Sequence, residues 1–227
     1  MGWEDINLGL LHGMDFSIKT QQVILPLFRS ASNALDAEWK AEEMTYRKGI
    51  AEAYKLDESE GSIMSSEKDW MEDIYRQRQQ GVGSLALDWL MNALKDVLHG
   101  AKTYLDKSHA VNGPYQGNGW LSKIADEYQK RFNIDLSKGP MRFERIQELV
   151  LARNAGVHRS KDILDEYLKK IDKPVFVDDE DRFFVTNDAL VQIAKECDQF
   201  TEWIVKEVEK LSGGWAKRPR DSKSSTG

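Results

Sequence analysis

Within ELVLARNAGVHRSKD, residues 148–162, an arginine, an amide and a histidine lie close enough along the chain to act together on an anion. Arg153 falls where the apolar period Phe143, Ile146, Val150 next lands, so a permanently charged guanidinium occupies a stripe expected to face the core or a partner. A guanidinium there either snorkels out along its stem or is held for an anion. His158 stands five residues further on. On an unbroken helix the two would point about 140° apart. Gly156 lies between them and allows the helix to stop or loosen, which would turn His158 back. Asn154 is four residues before His158 and shares its face if the helix persists, so that its amide can orient the imidazole. Arg159 and Lys161 complete the most basic cluster outside the C-terminal tail and are candidate substrate-binding residues.

Such a set is suited to phosphodiester cleavage. Imidazole is the side chain that gives and takes protons near neutral pH. Guanidinium presents planar donors to the oxygens that gain charge in the transition state. RNA brings its own nucleophile, the 2′-hydroxyl, so the chemistry needs no metal and no cofactor. Composition limits where such a site can sit. The 227 residues are 41% apolar and 31% charged, with net charge −6 and pI near 5.4, which argues against a protein that coats nucleic acid nonspecifically. A small basic pocket on an acidic body stays open. The lone Cys197 excludes an intramolecular disulfide framework and a cysteine-based zinc cage. The most apolar run, Leu85 to Leu94, is broken by Asp88 and Asn92, and the first residues carry acids where a leader carries base; the expectation is a cytoplasmic chain with no membrane partner.

The elements that must position the cluster read as mainly α-helical, an antiparallel helical bundle with one small β-hairpin. A long tract from Asp15 to Tyr54 carries Pro26 as a start or kink. Leu56 to Glu67 reads as a polar connector with Ser66 and Asp69 as a capping pair. Gly81 and Gly83 are expected to interrupt the next helix, which resumes near Ser84 with Leu87, Leu90, Met91, Leu94, Val97, Leu98, Ala101 and Leu105 on one face. After the glycine-rich loop 108–119 come a short helix from Trp120 to about Phe132 and a helix opened by Pro140 that carries the Arg/His cluster. A short helix capped by Ser160 follows. The apolar triplets around Val175–Val177 and Phe183–Val185 flank an acidic turn and predict a hairpin over residues 174–186. A last helix, capped by Thr186 or Asn187, runs to Leu211. The domain reading is a helical extension over 1–60, a core over 61–212, and a basic, disordered tail over 213–227.

Arg153-Asn154-x-x-x-His158 at the end of a helix resembles the Arg–x(4–6)–His signature of HEPN-superfamily ribonucleases. The following short segment, hairpin and capped amphipathic helix are similar too. The resemblance covers roughly 85–107 and 140–211; the first helices and the 108–119 loop lie outside it. It implies a HEPN-like core and a homodimer in which two motifs face each other across a composite site that cuts RNA. It also implies a toxin or phage-defence role with an antitoxin or defence-system partner. On the matched positions, Arg153 would bind and polarise the scissile phosphate, His158 would be the acid/base, and Asn154 would position them. One subfamily has a tyrosine two residues after the histidine that its antitoxin modifies; here that position is Ser160. The alternative is a non-catalytic helical interaction or regulatory protein on the same scaffold. The pairs Asp96 with His99 and Asp106 with His109 have ligand-like spacing but fall opposite the apolar stripe, so no metal site is expected.

Overall fold

The computed structural model describes residues 15–108, 119–158 and 160–211. Among the described residues, beyond the short helical stretch 15–18, six α-helices are found: α1, Leu25–Leu56; α2, Glu58–Ser108; α3, Trp120–Phe132; α4, Phe143–His158; α5, Lys161–Lys170; and α6, Asn187–Leu211. No helix of the described residues is long and apolar enough to cross a membrane. The chain divides into two compact units, one comprising 19–91 and 148–194, the other 1–18, 92–147 and 195–227. The expected loop 108–119, apart from its ends, and the tail 213–227 lie outside the described residues.

The unit that holds the Arg/His cluster begins with a π-helical turn, Lys19–Ile24, leading into α1. Pro26 explains it: with no N–H to return to Gln22, and a ring that crowds that carbonyl, the chain takes a wider turn before α-helix resumes at Leu25. Helices α1 and α2 then form an antiparallel hairpin. Trp39 stacks on Tyr75 with centroids 5.4 Å apart, and Glu38 pairs with Arg78 at 2.8 Å. Buried Gln79 donates to Asp36 at 2.7 Å and accepts from Ser32 at 2.9 Å, which fixes the register through polar groups that have few alternative partners.

Two expectations fail here. The polar run Leu56 to Glu67 is not a connector: the break is the single extended residue Asp57, whose carboxylate accepts from the Ser59 backbone at 2.6 Å and so caps α2. Ser66, expected as a cap, lies inside α2 and donates to the Ser62 carbonyl at 3.1 Å. Nor do Gly81 and Gly83 interrupt the helix, which runs unbroken for 51 residues. Gly83 lies against Val185, and a Cβ there would come within 2.7 Å of the valine Cβ, so the glycine serves packing.

The apolar face read for α2 is buried, from Leu87 to Leu105. In the second unit, residues 92–108 of that helix carry Leu94, Val97, Leu98, Ala101 and Leu105 among Ile124, Tyr128, Phe132, Phe200 and Ile204, all buried. Tyr128 donates its hydroxyl to the Leu98 carbonyl at 2.6 Å. Cys197 is fully buried in this core, and burial pushes its thiol far up, out of reach as a nucleophile.

The expected β-hairpin is reduced. Among the described residues the segment has one antiparallel bridge, Val177 to Phe183, and no strand. The acidic turn holds it closed: Asp178 accepts from the backbone of Glu180 and Arg182, each at 3.0 Å, and from the Arg182 guanidinium at 2.8 Å. Thr186 caps α6 by accepting from the Ala189 backbone at 3.1 Å.

Candidate functional site

The helix that bears the cluster does not stop at Gly156. α4 continues through it to His158, so the glycine leaves the helix intact. Its role is contact: a Cβ on Gly156 would lie 2.5 Å from Ser84 Oγ and 2.6 Å from the Phe183 ring. α4 therefore lies close against α2 at Ser84, and one helical turn away in each helix the side chains of Arg153 and Asp88 meet.

Arg153 occupies the flank of α4, not the centre of its buried face. The buried positions are Ile146, Glu148, Leu149, Ala152, Ala155 and Gly156; Val150 is half-buried and Val157 exposed. The small residues Ala152, Ala155 and Gly156 carry the core side, which is why the larger apolar residues pointed part of a turn away from it. The guanidinium is about 30% exposed and neither snorkels free nor is buried alone. Its Nε donates to Asp88 Oδ1 at 2.6 Å, its Nη2 lies 2.6 Å from the same oxygen in an ion pair, and its Nη1 donates to Asn154 Oδ1 at 3.1 Å.

Asn154 is half-buried and His158 is exposed. Because the helix persists, these two stand on the same face, one turn apart. Arg153 and His158 leave the helix about 140° apart. The Nη1 bond to Asn154 bridges that angle, since it draws one end of the guanidinium toward the face His158 occupies. The structure thus brings Arg153 and Asn154 into direct contact and sets His158 one turn beyond, at the helix terminus. Ser160 takes the extended conformation of a cap for α5 but its side chain makes no capping bond; Lys161 is exposed at the first position of α5. Arg159 lies outside the described residues.

Two further residues of the site are not read as candidates from the sequence. Asp88 partners Arg153 from 65 residues away and stands out in the sequence only as a break in the apolar run Leu85 to Leu94. Glu148, in α4, is buried and accepts from the Tyr167 hydroxyl at 3.0 Å and the Val175 backbone at 2.9 Å, so it ties α5 and the following segment to the helix that carries the cluster. Asp96 and His99 are exposed, His109 is outside the described residues, and the described residues gather no group of three metal-ligating side chains. Lys95 lies 5.3 Å over the ring of Trp120, so that indole packs under a cation. This chain matches no protein-family model, no curated protein and no solved structure in comparisons with each.

Proposed function

We propose that this chain is a metal-independent endoribonuclease with a HEPN-like helical core, whose site is Arg153, Asn154 and His158, completed across a two-fold axis by a second copy. The observation that carries the reading is the hydrogen bond from Arg153 to Asn154 at a helix end where His158 stands exposed one turn on. It supports a phosphate grip and a proton-transfer group within reach of one ligand. In this reading His158 of one copy takes the proton of the 2′-hydroxyl as that oxygen attacks phosphorus. His158 of the second copy gives a proton to the departing 5′-oxygen, and Arg153 neutralises the charge gathering on the non-bridging oxygens. One imidazole cannot serve as base and acid at once, which is the physical motive for a pair. Lys161 and Arg159 would hold flanking phosphates.

The test is incubation of total RNA with the purified chain in chelator. Cleavage leaving cyclic 2′,3′-phosphate and 5′-hydroxyl ends is the expected result, with His158→Ala and Arg153→Ala each slower by about 100-fold or more. Intact RNA with the wild type, or a His158→Ala protein that cuts at the wild-type rate, would overturn it.

A second reading, a non-catalytic helical interaction protein, is favoured by one observation: Asp88 already supplies an anion to Arg153 within the fold. It expects Arg153→Ala to lower stability and to leave any RNA untouched.

A further inference from the structure

The guanidinium of arginine has five N–H donors. In Arg153 the Nε–H donates to Asp88 Oδ1 and one Nη1–H donates to Asn154 Oδ1, while Nη2 lies 2.6 Å from the same Asp88 oxygen as the ion pair. The other donors all lie on the two terminal nitrogens. Asp88 takes the inner edge of the group, between Nε and Nη2, and the donors left over belong to its outer end. About 30% of the side chain is exposed, so a ligand can reach the arginine.

We propose that Asp88 is the positioning residue of this site: it commits the inner edge of Arg153 and turns the terminal nitrogens to a phosphate. That the phosphate belongs to RNA rests on the nuclease reading above. Three features of the fold support the assignment. Asp88 projects from a stretch of α2 anchored by fully buried Leu87 and Leu90, so its backbone cannot drift. The approach of Gly156 to Ser84 sets the separation of α2 and α4 one turn from the ion pair. And both inner-edge nitrogens converge on a single oxygen, which defines the orientation of the planar group without using its outer end. An arginine free to rotate about its four side-chain bonds would have to be ordered by the ligand itself; held this way, it meets the ligand already oriented.

The proposal makes geometry, not charge, the contribution of Asp88, and variants separate the two. Asp88→Asn keeps an acceptor oxygen in place and removes the charge. Asp88→Glu keeps the charge and moves the oxygen outward by one methylene. With RNA as substrate, Asp88→Asn should lose the least. Asp88→Glu should lose about 100-fold in kcat with KM little changed, the penalty of a misplaced group. Equal activity for Asp88→Glu and wild type would overturn the proposal. A readout that needs no turnover is nitrogen-15 NMR of the Arg153 side chain during titration with inorganic phosphate, with Arg153→Lys to assign the signals. The expected result is that the Nη signals move and the Nε signal stays. An Nε signal that moves equally, meaning that phosphate displaces Asp88, would overturn it, as would no response at Arg153. If the wild type cuts no RNA while phosphate still moves only the Nη signals, the nuclease reading falls and the positioning role stands. If Asp88→Glu fails to fold, the wild-type titration decides.

Discussion

Tyr167 shows how much of the local structure depends on single polar atoms. It is fully buried, donates its hydroxyl to Glu148 at 3.0 Å, and accepts from the Phe176 backbone at 3.2 Å. Glu148 is itself buried and also takes the Val175 N–H. Replacing Tyr167 by Phe keeps the ring and its packing but leaves a buried carboxylate short of one donor and a buried N–H without its acceptor. The expected cost is about 1–3 kcal/mol, read as a lower urea midpoint with unchanged slope. A variant as stable as wild type would mean that water satisfies both groups. The contrast with Arg153 and His158 shows what a sequence can reveal at this scale. An arginine on an apolar period and a histidine one turn past an asparagine are conspicuous by type. Glu148 is one acid in a chain with 38, Asp88 shows only as a break in an apolar run, and the role of each appears with the partner that arrives from elsewhere in the fold.

Among elements, the helices were legible by period and so was the irregularity at Pro26, but the breaks read from glycines and from the polar run were not. The stripe from Leu87 to Leu105 is buried as its spacing predicts. Gly83 reads as a break because glycine usually costs helix about 1 kcal/mol, yet here it is the place where Val185 comes too near for a side chain. Glycines in these helices should therefore respond oppositely to alanine. Gly83→Ala puts a Cβ within 2.7 Å of the branched Cβ of Val185, and overpacking of about 1–3 kcal/mol outweighs the helical gain. Gly49→Ala meets only the flexible end of Met64, at 2.5 Å, so the gain of up to about 1 kcal/mol should survive. Thermal unfolding of both variants checks the pair: Gly83→Ala lower than wild type, Gly49→Ala higher.

The bridged turn carries its own pH dependence. Burial works against the Asp178 carboxylate, but the Arg182 guanidinium and the backbone N–H groups of Arg182 and Glu180 outweigh it and hold the group below the usual carboxylate range. A depressed folded value contributes stability that is complete above the unfolded value of about 3.9 and is lost as pH falls through the folded one. Acid titration should thus leave the turn intact near neutrality and loosen it below about pH 4, seen as faster exchange of the Arg182 amide. Asp178→Asn should remove that acid-side dependence; an unchanged profile would place its origin elsewhere.

At the scale of the whole molecule the governing quantity is net charge, −6, on a chain proposed to hold a polyanion. Long-range attraction cannot gather RNA onto such a body, so contact must come from the few cations of the site. Each phosphate neutralised on a single strand releases counterions that lower log K against log salt by about 0.7. Arg153, Arg159 and Lys161 from one copy give a slope of about −2, and the same three from each of two copies give about −4. Binding of a 2′-O-methyl oligoribonucleotide, which lacks the nucleophile, measures this directly across a salt series. A slope near −4 that falls toward −2 on dilution into monomer is the expected result for a composite site. Steeper dependence would mean diffuse binding, for which Lys217, Arg218, Arg220 and Lys223 of the tail are the available charges. A slope near zero would mean that no phosphate is gripped at all, and the cluster would then serve only to hold helices together.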